Sequence, residues 1–347
     1  MSAAMLWPVL SMICLSAAAN VSLAATDLTA PSHGTVKLAA LRENYVRPTD
    51  IPAPKSNPIT AEKVALGKML FFDPRLSGSG AISCATCHNP GLGWGDGLAT
   101  GIGHMGSQLS RHTPTILDVA FGEPYFWDGR AATLEDQAKG PLTATKEMSM
   151  SVEHALPLLR SIPAYVEAFG RAYPGQPISL DTIASAVATY ERTVVSSQAP
   201  FDLWVSGDDH AISEAAVRGF VLFNGKADCA VCHATWRMSD DGFHDIGMRD
   251  SDRGRAAVMP GIVQLEHAFK TPTLRNVALR APYMHDGSIA TLSAVIDHYD
   301  HGFEQRASLD TNIHPLGLTS DEKADLLAFL DTLTSSDEPV QLPSLPR

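Results

Sequence analysis

The sequence has few charged residues and no long run of basic ones. Charged residues make up 18% of the 347-residue chain, and 26 Lys and Arg stand against 38 Asp and Glu, a formal net charge of −12. Because nucleic-acid binding depends on clustered Lys and Arg side chains, this composition argues against a nucleic-acid partner. Segments that alternate polar and apolar residues, as half-buried strands do, are scarce. With 26 Gly and 23 Pro, the chain is expected to be mainly helical and loop-rich.

Long apolar segments are also absent, except at the N-terminus. Residues 5–23 are apolar, and the small residues Ser22 and Ala24 suit a signal-peptidase site. Residues 1–24 are therefore predicted to be a secretory signal peptide that is removed. The alternative is an uncleaved anchor, but Pro8 interrupts the stretch and argues against a spanning helix. We predict a periplasmic protein whose mature chain has no membrane span.

The five cysteines do not form an obvious disulfide set. Cys14 lies in the predicted signal peptide, and the other four form two C-x-x-C-H motifs, the attachment signature of c-type haem. In such a motif both thiols bond to the haem and the adjacent His binds its iron. A zinc site or a thioredoxin-like motif would not require a His at the same place in both motifs. We therefore predict two covalently bound haem c groups, attached and ligated by Cys84, Cys87 and His88, and by Cys229, Cys232 and His233.

An internal repeat indicates how the two haem motifs are organised. At a constant offset of 158, residues 113–137 and 271–295 are identical at 12 of 25 positions. Each copy follows one haem motif, so the chain is expected to contain two related units. The predicted fold is mainly α, with two cytochrome c-like haem domains related by a pseudo-two-fold internal repeat. We place the N-terminal domain at 25–200, the C-terminal domain at 201–335 and a tail at 336–347.

Further motifs accompany the haem motifs between residues 58 and 335. They are Arg111-His112-Thr113-Pro114-Thr115, Phe126-Trp127-Asp128-Gly129-Arg130, Gln137 with Glu147, and Pro282-Tyr283-Met284-His285-Asp286-Gly287. With these motifs the sequence resembles the bacterial dihaem cytochrome c peroxidase superfamily, which includes the MauG-type enzymes. The resemblance implies an N-terminal haem that reacts with hydrogen peroxide and a C-terminal haem that transfers electrons.

The resemblance also implies roles for residues near the N-terminal haem. Glu147 matches the family's catalytic glutamate, a general acid–base that would move a proton between the peroxide oxygens. Gln137 matches the distal amide, and Trp127 matches the tryptophan that relays electrons between the haems. His104, 16 residues after His88, matches a histidine that caps the N-terminal haem of family peroxidases at rest. Taken alone, Glu147 would be a surface carboxylate, Trp127 a core aromatic and His104 a loop residue.

By the same resemblance, Tyr299 is the second axial ligand of the C-terminal haem. This position is Met in ordinary family peroxidases and Tyr in MauG-type enzymes. An anionic oxygen ligand stabilises higher iron oxidation states than a thioether does. In the repeat, Tyr299 pairs with Pro141, which cannot bind iron. The alternatives are a core tyrosine at this position, or ligation by Met248, Met284 or His298.

The family also binds calcium between its domains through an Asn side chain, and that position falls on His112. Imidazole is a poor ligand for Ca²⁺, although backbone oxygens near Arg280 and Pro282 would be available. We regard calcium binding as doubtful.

Three functions remain open, with hydrogen peroxide the substrate in the first two. A MauG-type enzyme would oxidise a residue of a partner protein, which Tyr299 favours slightly. A conventional peroxidase would reduce peroxide to water with electrons from a small periplasmic cytochrome c or copper protein, which His104 favours. The third is a non-catalytic dihaem electron carrier, against which Pro141 and the pair of Glu147 and Gln137 argue.

Overall fold

The computed structural model describes residues 38–347, and helices form most of their regular structure. The predicted signal peptide at 1–24 lies outside the described residues. The helices are α1 Leu38–Glu43, α2 Ala61–Phe72, α3 Cys84–Cys87, α4 Leu134–Thr143, α5 Val152–Ser161, α6 Pro163–Ala172, α7 Leu180–Arg192, α8 Pro200–Val205, α9 Glu214–Phe223, α10 Leu292–Asp297 and α11 Ser320–Asp331. A π-helical turn, His298–Gly302, follows α10 directly. Two short antiparallel strands, β1 Phe243–His244 and β2 Phe269–Lys270, pair within the described residues.

Side-chain caps fix the starts of the longer helices. Thr60 accepts a hydrogen bond from the Lys63 N–H at the start of α2. Thr319 and Glu322 form a capping box at the start of α11, with each side chain bonded to the other residue's N–H. Such caps satisfy the N–H groups that the first turn of a helix leaves without partners.

The internal repeat is preserved in the backbone. Thr133 and Thr291, which are equivalent in the repeat, cap α4 and α10 in the same way. The equivalent tyrosines Tyr125 and Tyr283 donate their hydroxyls to the carbonyls of Val119 and Val277, respectively. The predicted mainly α fold with two cytochrome c-like domains is confirmed. The exact boundaries at 200 and 335 remain predictions.

Each domain has its own hydrophobic core, built on a pair of crossing helices. In the N-terminal core α2 crosses α7, and in the C-terminal core α9 crosses α11. Gly67 allows the first close approach and Gly219 the second. A Cβ atom at Gly67 would overlap the carbonyl oxygen of Ala186, and one at Gly219 would overlap that of Asp325.

The two ends of the described chain cross over to the opposite cores. Tyr45, 1% exposed, packs in the C-terminal core and donates its hydroxyl to Asn224 Oδ1 at 2.7 Å. Val340 packs against the N-terminal core. Within residues 38–347, no helix combines the length and apolar character needed to cross a membrane.

Candidate active site

The two motif histidines are held in the same way. His88 Nδ1 lies 3.2 Å from the carbonyl oxygen of Trp94, and His233 Nδ1 lies 2.8 Å from that of Met238. A carbonyl partner fixes Nδ1 as the protonated nitrogen and leaves Nε2 with a lone pair, as an iron ligand requires. Burial lowers the pKa of both histidines, which favours the same neutral form.

All four motif cysteines are free thiols, so they remain available for attachment to haem. Burial raises the pKa of Cys87 to about 11 and that of Cys229 to about 12, and it also raises the pKa of Cys84. Charges on Asp96 and Glu147 add to the effect on Cys87.

One large cavity joins the two halves of the repeat. It encloses about 2420 Å³ of space free of protein atoms, including the part open to solvent. Its walls are mostly apolar and contain His88, His233, Cys229, Cys232 and Tyr299. An apolar cavity with a fixed imidazole and adjacent thiols fits a covalently attached haem.

Tyr299 lies in the π-helical turn that follows α10. Its repeat mate Pro141 lies inside the α-helical α4, so the two halves of the repeat differ in backbone at this position. π-turns occur frequently at functional sites. Burial raises the pKa of Tyr299, so a phenolate there would require a strong positive partner such as ferric iron.

Two of the three alternative ligands to Tyr299 do not line the cavity. Met248 is buried and does not line the cavity. His298 does not line it either, and its Nε2 lies 2.8 Å from the carbonyl oxygen of Ile246. Met284 does line the cavity, so it remains an alternative.

Only one of the two predicted distal residues of the N-terminal haem lines the shared cavity. Gln137, on α4, lines the shared cavity, whereas Glu147 does not. Glu147 lies instead on the side of Cys87, whose pKa its charge helps to raise. Burial raises the pKa of Glu147, with an opposing contribution from Arg130. A half-buried carboxyl with a raised pKa binds a proton more readily than an exposed one, as a general acid–base requires.

His104 lies in a loop that packs on the Glu147 segment. Its N–H donates to the Glu147 carbonyl at 2.7 Å, and Gly103 is so close to the Lys146 carbonyl that a Cβ atom would not fit. Nδ1 of His104 is buried without a hydrogen-bond partner among the described residues. The loop therefore holds His104 beside the catalytic candidate, although His104 does not line the shared cavity.

Trp127 lies where the two repeat halves meet. Its Nε1–H donates to the His112 carbonyl at 2.8 Å, and its ring meets the edge of His285, its repeat mate, with the centroids 6.5 Å apart. His285 in turn stacks on Phe269 at 3.5 Å. All four residues line the cavity between the motif histidines, a suitable position for an electron relay.

The position of the family's calcium-binding Asn does not suit calcium here. His112 is buried, and its Nδ1 lies 2.7 Å from the Leu98 carbonyl oxygen. This side chain offers no oxygen to a hard cation.

His244 and Glu191 are ionisable residues of the cavity wall that the sequence motifs did not indicate. His244 lies between Asp310 Oδ2 at 2.6 Å and Asp240 Oδ2 at 2.9 Å, and no motif marks it. Glu191, on α7, is 4% exposed. It lies four residues after the buried Val187 on α7, and this helical spacing is a signal that could have identified it.

Comparisons with known proteins identify the class to which this fold and these sites belong. The family model "Di-haem cytochrome c peroxidase" matches residues 61–210, and the model "Cytochrome c" matches residues 216–334. The chain is similar to methylamine utilization protein MauG of Methylorubrum extorquens, with 50% identity over 89% of this chain and 88% of the relative. It is 36% identical to cytochrome c551 peroxidase of Pseudomonas aeruginosa, over 86% of each chain.

A solved structure shows the same fold. The crystal structure of a MauG-like protein associated with microbial copper homeostasis superposes with a TM-score of 0.78 at 34% identity, covering 84% of this chain and 96% of that one. The chain therefore belongs to the dihaem cytochrome c peroxidase family, which includes the MauG proteins. It is a dihaem peroxidase-type oxidoreductase, and its two cytochrome c-like domains imply two haem c groups.

Proposed function

We propose that the protein is an exported dihaem enzyme that reacts with hydrogen peroxide at the N-terminal haem and directs the oxidising power at a residue of a partner protein. Tyr299 carries this proposal, because the phenol lies in the cavity wall with His233 and the backbone departs from the repeat at that position. The 50% identity to a MauG protein, against 36% to a cytochrome c551 peroxidase, supports it.

When bound, the haem groups supply the redox chemistry. His88 and His233 would each hold the iron of one haem, and Tyr299 would hold the iron on the C-terminal side together with His233. Glu147 holds and moves the proton that cleavage of the O–O bond requires, while the Gln137 amide orients peroxide or water. Trp127 lies between the two sites and passes electrons in single steps.

A conventional peroxidase is the second candidate. The observation that favours it is His104, whose Nδ1 is buried and unpartnered in a loop bonded to the Glu147 segment. A histidine held there could cap the N-terminal haem until a reductant releases it. A small periplasmic cytochrome c or copper protein would then supply the electrons.

One experiment separates the two functions. Stoichiometric peroxide is added to the diferric holoprotein without reductant, and the absorption of both haems is followed over time. For the MauG-type function, both haem spectra change at once and the change persists. The Tyr299→Met variant loses the persistence, whereas Tyr173→Phe, which alters a buried tyrosine outside the cavity, keeps it.

The opposite result supports the conventional peroxidase. In that case the diferric protein barely reacts, one haem must first be reduced, and Tyr299→Met behaves like the wild type. That outcome would remove the MauG-type proposal and leave the dihaem peroxidase family assignment intact.

A further inference from the structure

Glu191 is a buried acid in the wall of the haem cavity with no role in the peroxide chemistry proposed above. The residue is 4% exposed and lines the cavity together with His88 and Gln137. Its Oε2 atom is buried and has no hydrogen-bond partner among residues 38–347. A buried carboxylate without partners is costly, so such a group favours its neutral form.

Arg192, the cation next to Glu191 in the sequence, is paired with a different carboxylate. Arg192 binds both oxygens of Glu135, at 2.8 and 2.9 Å, and Asn57 also donates to Glu135. Burial raises the pKa of Glu191 to about 8; Arg192 opposes this shift and the charge of Glu135 adds to it. The carboxyl of Glu191 is thus left without a counter-charge of its own.

The other charged groups on the elements that pack against α7 are paired or exposed. Tyr125 and Tyr190 remain neutral because burial raises the pKa of each to about 12. The charged groups are Lys63, which donates to Asn57; Lys139, paired with Asp136 and Asp181; Asp118, bonded to Ser196; and Glu62 and Lys68, which reach solvent.

Glu191 is also close to the attachment point of the N-terminal haem. After burial, its charge is the largest contribution that raises the pKa of Cys84. An ionisable group beside a haem senses the charge of the iron, and the same field acts in both directions. Reduction of the iron therefore favours protonation of Glu191, and protonation of Glu191 favours reduction of the iron.

We propose that Glu191 is the proton-uptake group of the N-terminal haem: its carboxylate binds one proton from solvent when the iron gains one electron, and releases it on oxidation. The electron comes from an external one-electron donor, either a small redox protein or a chemical reductant. One electron and one proton enter together, so the net charge within the cavity is unchanged.

Proton uptake by Glu191 requires a haem at the first motif but does not depend on the peroxide reaction. It is tested by measuring the midpoint potential of each haem in the holoprotein between about pH 6 and about pH 9. In the wild type, the potential of the N-terminal haem falls as pH rises, by at most about 59 mV per pH unit for one proton per electron. In Glu191→Gln, a neutral side chain of similar shape, this dependence is lost. The slope of the C-terminal haem is the same in both proteins and serves as an internal control.

Reduced-minus-oxidised infrared spectra provide a second readout. A protonated-carboxyl band appears on reduction of the wild type, persists in the exposed control Glu153→Gln, and is absent in Glu191→Gln. An unchanged potential slope or an unchanged band in Glu191→Gln overturns the inference, as does a wild-type potential that is independent of pH. If Glu191→Gln fails to take up haem, the wild-type infrared spectrum is the remaining test. The absence of a protonated-carboxyl band from that spectrum would also overturn the proposed proton uptake.

Discussion

At the scale of single residues, proton chemistry around the N-terminal haem depends on where each carboxyl group is buried. Glu147 is half-buried and has a raised pKa, whereas Glu153, six residues later, is exposed, with its pKa lowered by hydrogen bonds from its own backbone and from Ser151. Burial thus makes one of these carboxyls easier to protonate than an ordinary glutamate, whereas the exposed one is harder to protonate.

We expect Glu147→Gln to slow the reaction of the holoprotein with hydrogen peroxide by about 10²–10⁴-fold, the usual contribution of a general acid–base. The amide keeps the shape of the side chain but cannot exchange a proton. The rate is measured by stopped-flow absorption, with Glu153→Gln as the matched control that reacts like the wild type. A Glu147→Gln variant with the wild-type rate would contradict the assignment.

A second residue-scale prediction concerns Asp73, which is fully buried. Burial alone would raise its pKa, but hydrogen bonds from Arg75 and Tyr165 hold the pKa below its ordinary value. A depressed pKa contributes stability that is present above the ordinary value of about 3.9 and is lost as pH falls through the folded value. Tyr165→Phe should therefore cost about 2 kcal/mol at neutral pH and progressively less below about pH 4.

Urea unfolding of the holoprotein, at neutral pH and below about pH 4, measures the loss of stability in Tyr165→Phe at each pH. Tyr173→Phe is the matched control, since the Tyr173 hydroxyl is buried without a hydrogen-bond partner among the described residues. We expect that variant to be neutral or slightly stabilised. Equal losses for the two variants, or a Tyr165→Phe loss that does not change with pH, would argue against the role of Asp73.

Residue-level prediction is possible where the chemistry depends on residues that are adjacent in the sequence. The C-x-x-C-H motifs identify Cys84, Cys87 and His88 without reference to a fold. Glu191 could not be assigned in that way, because its environment is created by Arg192 turning to Glu135 on another helix. His244 is held by Asp310 from a segment 66 residues away, and no local pattern encodes that distance.

At the scale of helices, close crossings determine which glycines matter. Gly67 on α2 meets the backbone of α7, whereas Gly170 on α6 is also helical but has nothing within 4 Å of an added Cβ atom. These two glycines form a matched pair in the same domain.

Gly67→Ala should destabilise the N-terminal domain by about 3 kcal/mol, because overpacking forces the two helices apart. Gly170→Ala should stabilise it by about 0.5 kcal/mol, because alanine restricts the unfolded chain at an exposed helical position. Thermal melts followed by circular dichroism measure both effects. A Gly67→Ala protein that melts at the wild-type temperature would show that α2 and α7 can separate freely.

Helix starts were predictable from the sequence, but the π-turn was not. Capping residues such as Thr60 and Thr319 act on their own first turn, so their effect is local. The widening of the helix at His298–Gly302 has no equivalent signal in the order of apolar residues. The repeat only shows that Tyr299 differs from Pro141, and the backbone consequence requires the fold.

At the scale of the whole molecule, the repeat predicts two similar domains but not how they are joined. The crossing of Tyr45 and Val340 to opposite cores has no periodic signal, because single side chains make these contacts. The same is true of Arg111, which binds Asp128 at 2.7 Å and Asp252 at 2.7 and 2.9 Å. Asp252 belongs to the C-terminal half, so one guanidinium bridges the two halves beside Trp127.

Arg111→Gln should weaken the coupling between the domains. It removes a largely buried guanidinium and leaves Asp128 with Arg130 alone and Asp252 without its partner. Breaking a buried pair costs about 3–5 kcal/mol; since Asp252 is 27% exposed, a loss of about 2 kcal/mol is expected. Calorimetry of the holoprotein should show a lower melting temperature and a transition that separates into two.

The exposed pair of Arg253 and Glu266 provides the control for this effect. The Arg253 side chain is 53% exposed, and exposed ion pairs contribute little to stability, so Arg253→Gln should melt as a single transition close to that of the wild type. If Arg111→Gln and Arg253→Gln behave alike, the domains are joined by their crossing chain ends and not by this ion pair. A separated transition in Arg111→Gln alone would show that the contact beside Trp127 holds the two halves of the repeat together.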